Sequence, residues 1–370
     1  MTVCEPCLRH SHLIAHLAPR IAGMLDRPTG RPGGLLALDE DALIERVATP
    51  ARADGARSFL ERFDPDRALE GLVEPGIAAV CRHAAQYPGG VAQLSDPPRV
   101  LYCTGTPERL QQLTGGPVAT VVGARRPSPY GLQVARQLGR RLAAAGVTVA
   151  SGLALGIDAE AHEGALDTGG RPIAVLACGP DLAYPARHAG LYSRVREAGI
   201  VLSELPPGRR AFRWSFPARN RIMAALGAIT VVVEAADPSG SLITAGFAAD
   251  LGRTVGAVPG KVTSRRAAGS NRLLRDGARP ILGAEDVLDD LFGVGCGPQG
   301  PRSPVRKLEP QIEPRLRAVL DGVEVGESVG EIAGRTGLSA AAVRAALGEL
   351  ELKGLIVAGA VGWYERVVSR

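Results

Sequence analysis

Short apolar runs alternate with longer segments of helical periodicity through the middle of the chain. Val118–Val122 is apolar and ends at Gly123-Ala124-Arg125-Arg126, the pattern of a buried strand. Tyr130 to Ala145 then places Leu132, Val134, Leu138 and Leu142 at helical spacing. Further runs follow at Val147–Ala150, Ile173–Ala177, Ile200–Ser203, Ile229–Glu234 and Thr254–Val258. Helical stretches begin near Asp158, span His188–Ala198, and run from the loop Asp237–Thr244 to Leu251. Strand, loop and helix in repetition predict an α/β fold with a parallel sheet.

The flanks read differently. Asp39 to Ala85 carries ALIERVA, ARSFLERF and LEGLVEPGIAAVCRHAAQ, which predict short helices separated by Pro and Gly. Pro88-Gly89-Gly90 closes this part, and Leu101-Tyr102 reads as a short strand on entry to the sheet. Val294–Leu308 is a Gly/Pro-rich basic linker. Beyond it, Glu313–Leu320 predicts a helix. Val329–Thr336 and Ser339–Leu352 predict a helix–turn–helix with Gly337 at the turn and Ser339 as cap, and Leu355–Val368 a two-stranded wing. The expected boundaries are 1–90 for a helical domain, 97–292 for the sheet domain, 293–308 for the linker and 309–370 for a winged helix.

Charge changes this picture. The chain of 370 residues has a net charge of +5, unevenly spread. Residues 118–292 hold 21 Arg/Lys against 15 Asp/Glu, whereas 1–117 and 309–370 are each net −2. The sheet domain therefore carries the positive field that a polyanion would meet. No run approaches the roughly 20 apolar residues of a membrane span, and the first residues lack a signal-peptide core. With scattered cysteines, the expected setting is a reducing cytoplasm with no membrane partner. Cys4-x-x-Cys7, followed by His10, His12 and His16, is a metal-ligand pattern without its second half. Cys81 and His83 complete it only if the fold brings them near, and the alternative is a first helix with unpaired thiols. No metal is assigned on the sequence.

Ligands of parallel α/β sheets bind beyond the carboxyl ends of the strands. There the chain places Gly123, Arg125, Ser151, Gly152, Gly156 and Asp158. Glycines admit backbone N–H groups close to an anion, and arginine offers a planar fork for phosphate. The same residues would also serve as plain turns with a solvated cation. The stretch Arg209–Phe216 interleaves basic and aromatic residues in a chain only 4% aromatic, which suits phosphates and unstacked bases. Its rings Phe212, Trp214 and Phe216 could instead alternate into a core. Asp158 and His162 share a helix face, but no nucleophile or metal set accompanies them, and neither a phosphate-binding P-loop nor a GxSxG motif is present.

Several motifs in one order make the pattern specific. GARRPSPYG (Gly123–Gly131), SGLALGIDAEAH (Ser151–His162), CGPDLAYP (Cys178–Pro185), SELPPG (Ser203–Gly208), FPARNRI (Phe216–Ile222), EAADPSGSLITA (Glu234–Ala245) and VPG (Val258–Gly260) are followed by Gly269-Ser270-Asn271 and Gly277-Ala278. Over Leu101 to about Phe292 the chain resembles the bacterial DNA-processing protein A family, DprA, also called Smf. The resemblance implies an extended Rossmann-like domain that binds single-stranded DNA, and a homodimer that loads the RecA recombinase on incoming strands in natural transformation. It implies binding without catalysis and no cofactor. Longer members carry an N-terminal domain of sterile-alpha-motif type and a C-terminal winged helix.

Under that reading Arg125, Arg213, Arg219, Arg221 and Lys261 hold phosphates, with Asn220 between two of the arginines. Gly123, Ser151, Gly152, Gly156, Ser239, Gly240 and Ser241 supply backbone or hydroxyl contacts, and Phe216 stacks a base. An alternative is a nucleotide-processing enzyme of phosphoribohydrolase type, whose PGGxGT-type loop is here Asp237-Pro238-Ser239-Gly240-Ser241. A third reading is a winged-helix transcription factor, which the acidic balance of residues 309–370 disfavours.

Overall fold

A computed structural model describes residues 2–24, 33–294, 313–358 and 364–366. Two compact units result, Met1–Pro298 and Gln299–Arg370. The first is built on nine strands: β1 Ile77–Cys81, β2 Val100–Thr104, β3 Val118–Val122, β4 Thr148–Ser151, β5 Ile173–Leu176, β6 Ile200–Ser203, β7 Ile229–Val232, β8 Thr254–Ala257 and β9 Arg279–Pro280. Their order across the sheet is β1-β2-β6-β5-β4-β3-β7-β8-β9. From β6 to β9 all neighbours are parallel, while β1 and β2 join antiparallel at one edge. The sheet is thus α/β and Rossmann-like. Strands β3 to β6 extend it in one direction and β7 to β9 in the other, so the switch point lies between β3 and β7.

Strands β3, β5, β6 and β7 are buried along their whole length, which is why each reads as a continuous apolar run. On one face, Ile222, Met223 and Ala225 of the helix Ser215–Leu226 pack with Val122, Val175 and Val232. On the other face, Leu138 and Leu142 of the helix Pro129–Ala144 pack with Val121, Val149 and Val231. That helix starts as its sequence demands: Ser128 Oγ accepts the Gly131 N–H at 3.1 Å, and Pro129 follows the cap. It crosses the helix Ile157–Asp167 closely. A Cβ at Gly139 would strike the Ala161 carbonyl, and one at Gly164 the Arg136 carbonyl.

The segment Ile77–Ala85 differs from its helical reading. Gly76 adopts φ +64°, which ends the helix Pro65–Val73 and its final turn. Ile77–Cys81 then pairs with β2 and joins the sheet. The helix Glu5–Met24 covers this edge with Cys7 and Leu8. Its later residues Leu13, Leu17 and Ile21 form a second core with Leu43 and Ile44 of the helix Glu40–Val47 and with Trp214.

In the second unit, helices Pro314–Glu324, Val329–Thr336 and Ala340–Leu352 enclose Leu320, Ile332, Val343 and Leu347. Gly337 makes the left-handed turn at φ +71°, and Ser339 Oγ accepts the Ala342 N–H at 3.2 Å. Strands β10 Ile356–Ala358 and β11 Tyr364–Arg366 pair antiparallel as the wing of a winged helix. The expected linker lies outside the described residues beyond Val294. Among the described residues no helix is long and apolar enough to cross a membrane.

Candidate nucleic-acid interface

A cleft of about 480 Å³ opens at the carboxyl ends of β3 and β7, the switch point of the sheet. Three backbone contacts hold its rim. Ala124 N–H donates to the Glu234 carbonyl at 2.6 Å, Ile157 N–H to the Ala124 carbonyl at 3.2 Å, and Gly269 N–H to the Ala235 carbonyl at 2.7 Å. The loops after β3, β4 and β7 are therefore tied together. Glu234 braces this rim: its Oε2 accepts Ser128 N–H at 2.7 Å and Ser128 Oγ–H at 3.1 Å.

Gly123 leaves β3 where a Cβ would press on Ile157 Cγ1 at 2.6 Å. Arg125 is exposed, with its guanidinium carbon 5.3 Å from the ring centroid of Phe216. Tyr184 lies 5.7 Å from the same ring, tilted by 53°. Arg213 is exposed on the lining, and Ser239, Gly240 and Ser241 line it at the start of the helix Gly240–Asp250. Asn220 Nδ2 donates to the Gly240 carbonyl at 3.2 Å and so fastens that helix to Ser215–Leu226.

Arg219 forms the floor. It is buried, its Nη1 donates to the Val175 carbonyl at 2.6 Å, and Nε has no partner among the described residues. Burial lowers its pKa, Asp158 opposes the shift, and Arg125 adds to it. Asp158 is pushed up by burial and held back by Arg219. The carboxylate also accepts Gly152 N–H at 3.1 Å. A Cβ on Gly152 would collide with the Arg219 guanidinium, so a side chain there would displace Arg219 from its place in the floor. Three arginines and one aspartate thus line the cleft, together with an exposed tyrosine and Phe216.

Other candidates lie elsewhere. Arg221 does not reach the cleft: its side chain is wholly buried, with Nε donating to Asp96 Oδ2 and Nη2 to Glu204 Oε1, both at 2.8 Å. Burial works against its charge, but Glu204 and Asp96 outweigh it and raise the pKa. Ser151 is also buried and spends its hydroxyl on the Val121 carbonyl at 2.6 Å. Gly156, at φ +78°, is packed against the Ala124 carbonyl and Pro127 beneath the rim. Lys261 is exposed outside the lining, and Gly152 borders a side pocket of about 70 Å³ that shares Arg125, Phe216 and Arg219. His162 is fully buried and pushed down to about 3 by burial and then by Arg219, which keeps it neutral.

The aromatic stretch divides. Phe212 stacks near Trp214 at 6.4 Å, and Trp214 Nε1 donates to the Ala18 carbonyl at 3.1 Å, so both face the N-terminal helices. Phe216 faces the cleft. Tyr184, to which the sequence assigns no role within CGPDLAYP, lines the site, as does Thr244, a hydrogen-bond donor of the loop Asp237–Thr244.

The family model for DNA recombination-mediator protein A matches residues 78–292, and that for the DprA winged helix domain matches residues 309–360. The chain belongs to the DNA recombination-mediator protein A family. A DprA relative from Mycobacterium tuberculosis is 40% identical over 256 residues, which is 66% of this chain and 65% of that protein. The match spans just under two thirds of that relative's length. The crystal structure of DprA from Streptococcus pneumoniae superposes with a TM-score of 0.61 at 28% identity, covering 79% of this chain and 99% of that one. A structure of DNA processing protein A from Helicobacter pylori, described for its single-stranded DNA binding mode, gives a TM-score of 0.51 at 30% identity, covering 57% and 93%.

Proposed function

We propose that the chain binds single-stranded DNA in the β3/β7 cleft and hands it to the RecA recombinase during DNA processing and natural transformation. One observation carries the reading: Arg125 packs against the face of Phe216 above the buried Arg219, at the open end of three tied glycine loops. Cations hold the phosphates of either DNA form, whereas a ring for an unstacked base serves a single strand and not a duplex. The ligand named for the Helicobacter relative supports the same reading. Arg125, Arg213 and Arg219 hold phosphates, Phe216 stacks a base, and Gly123 with Ser239 to Ser241 offers close backbone and hydroxyl contacts. The protein acts as a cytoplasmic homodimer that binds and delivers without breaking bonds. Residues 309–370 serve a protein partner: the helix Ala340–Leu352 exposes Arg344 beside Glu349, which already pairs with Arg315 at 3.0 Å.

Fluorescence anisotropy with oligo-dT and a matched duplex tests this. The wild type is expected to prefer the single strand, and Phe216→Ala to lose about ten- to a hundredfold in affinity, as loss of a stack worth roughly 1–3 kcal/mol implies. Equal affinity for both DNA forms, or no effect of Phe216→Ala, contradicts it.

A further inference from the structure

The DNA reading leaves the Cys4-x-x-Cys7 pattern unused. The helix Glu5–Met24 begins between these cysteines, and Leu8 N–H donates to the Cys4 carbonyl at 3.1 Å. Strand β1 ends at Cys81, whose N–H donates to the Thr2 carbonyl at 2.8 Å. A turn closed by Ala84 N–H on the Cys81 carbonyl, at 2.9 Å, follows and carries His83. The fold thereby gathers one ligand atom each from Cys4, Cys7, Cys81 and His83, all within 4.8 Å of one another. His83 Nδ1 is 3.5 Å from both Cys4 Sγ and Cys7 Sγ, and Cys4 Sγ is 4.0 Å from Cys81 Sγ.

We propose that Cys4, Cys7, Cys81 and His83 form a structural zinc site that staples the N-terminal helix to edge strand β1. Tetrahedral zinc, with Zn–S of about 2.3 Å and Zn–N of about 2.0 Å, sets its ligands roughly 3.5 Å (S···N) and roughly 3.8 Å (S···S) apart. Both S···N spacings to His83 equal the first value, and the Cys4–Cys81 spacing lies 0.2 Å above the second. A disulfide needs sulfurs about 2.05 Å apart, far closer than Cys4 and Cys81, and would leave the imidazole without a role. Thiolates with an imidazole select zinc over magnesium or calcium. Four protein ligands leave no open position, so the site is structural, not hydrolytic. Val3, Leu8, Leu72, Ile77 and Tyr102 surround the cysteines with apolar packing. Two histidines of the same helix pack on other rings: that of His12 lies 5.2 Å from that of Phe63, and His16 stacks on Phe59 at 4.4 Å.

The staple has a second consequence. The same helix that the metal pins at its start holds Trp214 through Ala18 further along, and Trp214 borders the cleft. Zinc would therefore fix one wall of the DNA site from a distance without touching DNA.

Metal analysis and cobalt substitution of the full-length reduced protein test the proposal. The purified wild type is expected to carry about one zinc per chain. Cobalt in its place should give a thiolate-to-cobalt charge-transfer band and the intense visible bands of a tetrahedral site. Cys81→Ser should lose both signals, while His83→Cys, which keeps four soft ligands, should retain them with shifted bands. Chelation of the wild type gives a readout independent of how Cys81→Ser folds, a lowered melting temperature restored by added zinc. A folded wild type that carries no zinc and develops no tetrahedral cobalt spectrum overturns the proposal. So does cobalt binding that Cys81→Ser leaves unchanged.

Discussion

Arg219 and Arg221 lie two residues apart on one helix and meet opposite surroundings. Arg219 opens onto the cleft with Asp158 as its nearby opposite charge, whereas Arg221 is sealed between Asp96 and Glu204. Nothing local distinguishes the two in FPARNRI, because their partners come from loops remote in sequence. Their roles should therefore separate on substitution. Arg221→Ala strands two carboxylates in a dry environment, where breaking a buried pair costs about 3–5 kcal/mol. Urea unfolding should show that loss as a lower midpoint, and chain that remains folded should still bind oligo-dT. An unchanged midpoint with lost DNA binding would return Arg221 to the interface. Glycines were more legible than charges. At Gly123 and Gly152, Ile157 and Arg219 occupy the space a side chain would take, but the sequence alone suggests only that the chain turns there.

At the scale of elements, the strands buried on both faces were readable as apolar runs ended by glycine or a polar loop. The helix–turn–helix was readable from Ser339 and Gly337. Strand β1 was not, since IAAVC also fits the helical pattern of its neighbours and only Gly76 and pairing with β2 decide the matter. Two helices carry a further property, the buried histidines His10 and His162. Burial first, then Arg99 for His10 and Arg219 for His162, push them down to about 4 and about 3. In the unfolded chain they titrate near about 6.5. Between these values only the unfolded state takes up the protons. Their contribution is thus complete above about pH 6.5 and shrinks as the pH falls. Thermal melts should show the midpoint dropping between about pH 6.5 and 4.5, above the range where ordinary carboxylates titrate. A midpoint constant over that interval would contradict the burial of both side chains.

For the whole molecule, the uneven charge was visible before any fold. The excess of arginine in residues 118–292 belongs to the domain with the cleft, and the winged-helix segment is net negative. What the sequence could not supply was the convergence of that charge. Arg125 comes from the loop after β3, Arg213 and Arg219 from the segment that leads into β7, and the two meet where the sheet reverses its winding between β3 and β7. The four-ligand cluster at Cys4 and Cys81 depends in the same way on a contact between distant segments.

The central claim is that this cleft holds a single strand chiefly through its arginines. A salt titration of oligo-dT binding, wild type against Arg125→Ala, tests it most directly. Each phosphate contact contributes about 0.7 to the slope of log affinity against log salt on a single strand. Arg125→Ala is expected to bind more weakly at low salt, with a slope shallower by about 0.7. An affinity and slope identical to wild type would place the DNA elsewhere on the molecule and overturn the proposed site.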